Sequence, residues 1–284
     1  MKQYEVIHQR KLIPLLPIMS RLDGRNFHTF TKGLRRPYDE RLSHLMIDVT
    51  KFLVEDTNAL VGYTQSDEIS LVWYSDDPKS QIFFDGRIEK IMSVLSATCS
   101  VEFVKLMPSR LPEKIDCRPT FDCRVWNVPN LTEAANTILW REMDATKNSI
   151  SMAAQHYYSP KELHKKNSAE KHELLFQKGV NWNNYPFFFK RGIYVMRTYT
   201  TRLFTAEELD KLPPKHQART NPALVVKRSG VTTVNLPPLK TIKNREEVLF
   251  QGAEPQQELP DVSSNDMAET PCISKTKPYK KSRN

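Results

Sequence analysis

Four cysteines are all that this chain has, at Cys99, Cys117, Cys123 and Cys272. None pairs in C-x-x-C spacing, and none stands beside a histidine at zinc-ligand spacing. That excludes the common zinc frameworks and fits the reduced thiols of a cytoplasmic protein. Long apolar runs are missing too. Leu12 to Ile18 is short, is broken by Pro14 and Pro17, and lacks a small-residue cleavage site. It reads as a buried entry strand rather than a signal peptide. No stretch approaches the roughly 18 apolar residues of a membrane span, so no membrane partner is expected. Glycine is scarce, eight residues against nineteen prolines, and the prolines concentrate late in the chain. No internal repeat is visible.

Positive charge is in excess. Forty-two Lys and Arg stand against 33 Asp and Glu, a formal net charge of +9. Such a balance favours a polyanionic partner, because phosphate neutralisation supplies most non-specific affinity for nucleic acid. A hydrophobic share of 39% and four tryptophans suffice for a core.

Met19 to Asp23 reads as a short strand feeding a turn at Gly24. Leu42, Leu45, Met46, Val49 and Leu53 fall on one face of a helix. Ala59 to Tyr63 and Ile69 to Tyr74 read as strands of a hairpin joined by a short polar turn. Ile88 to Leu106 carries a second long amphipathic helix, and Phe121 to Val128 a further strand. The order β-α-β-β-α-β is that of the ferredoxin-like polymerase palm, an α/β fold shared by many unrelated proteins. Residues 1–128 form this expected core. Residues 129–212 are expected to add a helical and β-hairpin region. Asn130 is a plausible cap, Ser159 with Glu162 a capping box, and Gly179 a helix stop. Phe187 to Tyr199 reads as a hairpin turning near Arg191-Gly192. Its run Phe187-Phe188-Phe189 reads as strand positions split between core and surface, with base stacking as the sharper alternative. Residues 213–250 form a proline-punctuated extension. Residues 251–284 form a tail rich in Glu, Ser and Pro with lysines and an arginine at its end, read as disordered and as a possible electrostatic RNA tether.

The constellation that could carry chemistry is Asp23-Gly24 with Ser66-Asp67-Glu68. Adjacent residues of a regular strand point to opposite faces. A turn relaxes that rule, so at least Asp67 could face Asp23. Two carboxylates meeting at a strand edge can hold two Mg²⁺ ions about 4 Å apart, suited to in-line phosphoryl displacement. On spacing alone, a plain turn at Asp23-Gly24 and a solvated loop at Asp67-Glu68 are the favoured account of these residues.

The motifs themselves go further. Arg21-Leu22-Asp23-Gly24-Arg25-Asn26-Phe27-His28-Thr29-Phe30 resembles the R-[IL]-D-G-R-N-F-H-x-F signature of the tRNA-His guanylyltransferase family, and Tyr63 to Ser70 resembles its Y-x-Q-S-D-E-x-S signature. Phe121-Asp122-Cys123-Arg124-Val125, Glu170 to Phe176, Asn183-Asn184-Tyr185-Pro186 and Lys190-Arg191-Gly192 are similar to later elements. The resemblance spans roughly residues 18 to 200. It implies a palm-like enzyme that grows RNA in the 3′-to-5′ direction: ATP adenylylates the 5′-monophosphate of tRNA, then the 3′-hydroxyl of GTP attacks and AMP leaves. Carried over by position, Asp23 and Asp67 would ligate two Mg²⁺ ions with help from the Gly24 carbonyl, and Glu68 would be a supporting carboxylate. Asp23, Gly24, Arg25, Asn26, Phe27, His28, Ser66 and Asp67 would line a nucleotide site, with Arg36 and Lys90 as cations near triphosphates. Arg124, Lys190 and Arg191 are candidates for RNA contact. Family members tend to form tetramers, which implies a possible homotetramer.

One departure matters. The eukaryotic-type enzymes carry H-I-N-N-L-Y-N after a W-R element. Here Trp140-Arg141-Glu142-Met143-Asp144 leads into Ala145-Thr146-Lys147-Asn148, and Thr146 stands at the histidine position. The branch lacking this element is associated with templated repair of 5′-truncated tRNA, which is the expected activity. Two other readings differ in class. One is a non-catalytic RNA-binding protein on the same fold. The other is a palm-fold nucleotidyl cyclase, which should show a G-G-[DE]-E-F-type turn in place of Gln65-Ser66-Asp67-Glu68-Ile69.

Overall fold

Strands that alternate between two apolar faces dictate a sheet with a core on each side. In β1 (Ile18–Gly24), Ile18 and Leu22 enter one core while Met19 enters the other. In β3 (Glu68–Trp73), Ile69, Leu71 and Trp73 share the first core and Val72 the second. A computed structural model describes residues 3–4, 9–80, 82–221 and 223–257 of the chain. With β2 (Val61–Gln65), β4 (Phe121–Asn127), β5 (Ile193–Leu203) and β6 (Val225–Val234), these strands form one sheet in the order β4-β1-β3-β2-β5-β6. Every neighbouring pair is antiparallel.

Helices α1 (Glu40–Asp56) and α2 (Ile88–Arg110) cover the first face, completing the β-α-β-β-α-β palm order. The buried stripe of α1 is Leu45, Met46, Val49 and Leu53, and Asp39 caps it by accepting from the Arg41 amide. By length and composition α2 could cross a bilayer. Its Ile91, Leu95, Cys99, Phe103 and Met107 are instead fully buried against the sheet. The second face is covered by α3 (Leu131–Tyr157) and by residues 236–250, through Leu236, Leu239, Ile242, Val248 and Leu249. Asn130 caps α3 by accepting from the Glu133 amide, the Ser159–Glu162 box is formed, and Gly179 (φ 74°) follows α4 (Ser168–Gln177).

Four sequence expectations are corrected. Leu12 to Ile18 is not an entry strand: the chain turns at residues 14–16, Leu15 has φ 61°, and pairing starts only at Ile18. Phe187 to Tyr199 is not a hairpin. Phe187–Arg191 is a helical turn that stops at Gly192, and β5 begins one residue later. Gly192 has φ 82°, and a Cβ there would lie 2.5 Å from the Thr64 carbonyl oxygen, so a side chain fits neither the backbone nor the space. The hairpin partner of β5 is β6, inside the supposed irregular extension. Prolines at 213, 214, 237 and 238 bracket that strand rather than interrupt it. Finally, residues 252–257 fold back on α5 (Arg245–Gln251): the Ala253 amide donates to the Glu247 carbonyl, and the Gln256 amide to Asn244 Oδ1. The rest of the expected disordered tail lies outside the described residues.

Candidate active site

The register of the central strands builds the site. Asp23 pairs with Glu68 on one side and with Asp122 on the other. All three belong to the face away from α1 and α2, because Leu22, Ile69 and Cys123 take the opposite face. The tight turn between β2 and β3 brings in the fourth carboxylate. Ser66 adopts φ 51°, the Gly24 amide donates to the Asp67 carbonyl at 3.1 Å, and the Ser66 hydroxyl donates to Asp67 Oδ1 at 3.0 Å. Burial raises the Asp67 carboxyl above its usual range, and the charges of Asp23 and Glu68 add to the rise. Gly24 has its own steric reason. A Cβ there would sit 2.3 Å from the Phe27 ring, which packs on Phe30, Phe103 and Phe121.

Glu68 has a different role from its neighbour. Its two oxygens accept from Nε and Nη2 of Arg141, both at 2.6 Å, and both side chains are buried. Arg141 also donates to Asp144 at 3.1 Å. Burial lifts the Glu68 carboxyl and the guanidinium opposes it. Arginine does not deprotonate in proteins, so the pair is ionic. Glu68 is therefore engaged in joining β3 to α3; among the carboxylates that line the cleft, Asp23 and Asp67 are the two without an ion-pair partner among the described residues, and Asp122 lies outside that lining.

These groups form the floor of a cleft of about 780 Å³. Gly24, Asn26, Phe27, His28 and Ser66 line it as expected, and so does Arg36. Arg35 lines it beside Arg36, and α3 contributes Arg141, Asn148 and Gln155. At the far end Tyr38 lies 4.8 Å from Phe189 and 5.4 Å from Phe188, ring centroid to ring centroid. Phe188 and Phe189 thus reach the cleft through their helical turn while Phe187 packs against the first core, so the strand-like split between core and surface is corrected.

Five expected residues lie elsewhere. Arg25 is exposed and outside the cleft lining. Lys90 sits over the Phe84 ring in the first turn of α2. It is not part of the cleft lining, and ten residues of α2, about 15 Å at 1.5 Å per residue, separate it from Ser100, whose hydroxyl accepts from the Phe121 amide at the site end of the sheet. Arg124 is exposed on the site's face of β4, 3.9 Å from Asp122. Lys190 and Arg191 pack on the Trp182 ring, and the Arg191 carbonyl accepts from the Tyr63 hydroxyl, so both are tied into the fold. Arg141 and Arg35 were missed as site residues. Trp140-Arg141 was visible as a dipeptide, but the partner of Arg141 lies 73 residues away and nothing local announces it.

Among the described residues, no group of three His, Cys, Asp or Glu could hold a metal ion. Two carboxylates still suit Mg²⁺, which binds few protein ligands and completes its shell with waters and substrate phosphates. The destabilised charge on Asp67, with Asp23 beside it, is the observation that a bound cation would answer.

A split-βαβ palm with carboxylates at the ends of its central strands is the framework of a nucleotidyltransferase. A family model described as tRNA-His guanylyltransferase matches residues 1–129. The tRNA-His guanylyltransferase of Schizosaccharomyces pombe is 30% identical over 210 residues, 67% of this chain and 76% of that one. Among solved structures, a bacterial tRNA-His guanylyltransferase-like protein in complex with ATP aligns with a TM-score of 0.72 and 31% identity, covering 88% of this chain and 96% of that one. A bacterial protein of the same description in complex with GTP gives 0.66 and 30%, covering 87% and 94%. The chain belongs to the tRNA-His guanylyltransferase family, and it is a nucleotidyltransferase of the 3′-to-5′ type.

Proposed function

We propose that this enzyme repairs the 5′ end of truncated tRNA, adding nucleotides opposite a template base after activation by ATP, with GTP favoured. The observation that supports it most is the pair Asp23 and Asp67, open to the cleft while Glu68 is occupied by Arg141. Asp23 and Asp67 would hold two Mg²⁺ ions with the Gly24 carbonyl assisting; when bound, such ions neutralise charge on the attacking and leaving oxygens. Arg35, Arg36 and His28 would bind phosphate oxygens along the wall, where arginine offers bidentate contacts. The Glu68–Arg141 pair fixes the start of β3, and with it the position of Asp67. In the first step the tRNA 5′-phosphate oxygen attacks the α-phosphorus of ATP and pyrophosphate leaves. In the second the 3′-hydroxyl of the incoming nucleotide attacks the activated 5′-phosphorus and AMP leaves. The reaction belongs in the cytoplasm on this reading, and assembly as a homotetramer is part of it.

Thr146, which stands where the eukaryotic-type motif has histidine, spends its hydroxyl on the Glu142 carbonyl at 2.9 Å within α3 and is not part of the cleft lining. Selectivity for the added base then falls to pairing with the template, which positions the 3′-hydroxyl. Single-turnover extension tests this. A tRNA lacking its first nucleotide should gain the complement of whichever base stands opposite. Full-length tRNA-His should accept G well opposite C and poorly opposite A. Equal rates opposite C and A would contradict templated addition.

A further inference from the structure

Glu142 lies inside the protein without a cation. It is 3% exposed and forms no ion pair among the described residues, although Arg141 and Asp144 beside it both do. Both of its oxygens accept from the Leu239 amide, each at 3.2 Å, and one also accepts from the Tyr194 hydroxyl. Burial raises the carboxyl above its ordinary range, and these two donors oppose the rise. An apolar side chain would fill the same space at lower cost. Stability alone therefore does not call for a carboxylate at this position.

Its two donors come from different elements. Tyr194 belongs to β5, and Leu239 opens a 3₁₀ turn, Leu239–Thr241, within the segment 236–257. That segment is braced internally: Arg245 donates to the Ile242 carbonyl at 3.0 Å, and the Lys243 amide to the Gln256 carbonyl at 2.8 Å. Its apolar contacts with the second core have no direction, so on their own they would let α3 slide or roll. Hydrogen bonds weaken steeply off their axis and do not allow such a shift. Arg141 is the next residue of the same turn, and it holds both oxygens of Glu68 at 2.6 Å. Whatever fixes Glu142 thus fixes Arg141. Glu68 in turn opens β3 directly after Asp67. Tyr63 braces the same region: its ring lies 5.1 Å from that of Tyr194, and its hydroxyl donates to the Arg191 carbonyl at 2.5 Å.

We propose that Glu142 is a positioning residue for the reaction: it ties the segment 236–257 and β5 to α3, and so holds Arg141, Glu68 and the turn bearing Asp67 in their working arrangement. The inference deepens the catalytic reading proposed above and rests on it. The test uses the full chain with Glu142→Met, which keeps the bulk but no acceptor, and Glu142→Gln, which keeps an acceptor for both donors. Leu95→Ala, at a buried position of α2 outside the cleft lining, controls for lost stability. Each protein is assayed at a temperature where it is fully folded. Single-turnover extension of 5′-truncated tRNA gives the rate, and tRNA affinity is measured alongside. Hydrogen exchange followed by mass spectrometry reads residues 64–69 and 236–250 separately. Glu142→Met should extend at least about tenfold more slowly, because catalysis depends steeply on placement. Its tRNA affinity should be unchanged, and exchange should quicken in both segments. Glu142→Gln and Leu95→Ala should keep the parent's rate. Faster exchange confined to residues 236–250, with the rate intact, overturns the proposal. An equal loss of rate in Leu95→Ala also overturns it, because any loss of stability would then suffice. If Glu142→Met does not fold, Leu239→Pro is compared with Leu239→Ala: both lose the apolar side chain, and the proline alone removes the amide donor. The proline should quicken exchange at residues 64–69 beyond the alanine; equal exchange there overturns the proposal. A parent that extends nothing, with residues 64–69 still loosened by Glu142→Met, would sink the catalytic reading and leave the tie standing.

Discussion

At the residue scale, Asp67 carries the tension of the site. Its folded-state pKa lies above the ordinary value of 3.8, so the folded protein binds its proton more readily than the unfolded chain does. In the absence of divalent metal, ionised Asp67 therefore costs stability, and that cost disappears as pH falls through the raised pKa toward 3.8. Asp67→Asn should melt at a higher temperature than the parent at neutral pH, and the gap should close as pH approaches 4. A gap that stays constant with pH would contradict this assignment of the charge. Adding Mg²⁺ should stabilise the parent and leave the variant unmoved. That Asp23 and Asp67 come together in one cleft was legible in the sequence from the two long motifs. The division of labour between Asp67 and Glu68 was not. It depends on which of two adjacent residues leaves the turn for the strand, and Ser66 at φ 51° decides that.

At the scale of elements, α3 is fastened to the sheet by polar groups on consecutive residues. Arg141 grips Glu68 of β3, while Glu142 accepts from the Tyr194 hydroxyl of β5 and from the Leu239 amide at 3.2 Å. Removing one partner of a buried pair strands the other charge. Arg141→Met should lower stability by about 3–5 kcal/mol, and adding Glu68→Met should recover most of it. Denaturant titrations of the single and double variants measure this; a double variant no more stable than the single would show that the pair is not isolated. Most elements of the palm were readable from periodicity, since α1, α2 and the central strands each bury a regular face. The errors cluster where local pattern is overruled. Phe187 to Arg191 has strand-like composition but forms a helical turn between Pro186 and Gly192. Val225 to Val234 is rich in β-branched residues, but it finds a partner only across a 21-residue excursion from β5 that the sequence does not advertise.

At the scale of the whole molecule, the cleft gathers carboxylates, arginines and aromatic rings at one end of the sheet, and the basic β5–β6 ribbon runs past the other. The excess of cations was plain in the composition, but that residues 197 to 231 carry part of it on one ribbon is visible only once β5 and β6 pair. Lys90 is the converse case: motif position assigned it to the triphosphate, whereas it sits in the first turn of α2 and is not part of the cleft lining. The claim on which the account turns is that Asp23 and Asp67 drive growth of RNA at its 5′ end. The direct measurement is single-turnover extension of 5′-labelled, 5′-truncated tRNA with ATP, GTP and Mg²⁺, using the parent, Asp23→Asn and Asp67→Asn, with tRNA affinity measured on the same samples. The account predicts a product one nucleotide longer for the parent, neither activation nor extension for either variant, and equal tRNA binding by all three. Full turnover by either variant, or no growth of the 5′ end by the parent, would contradict it.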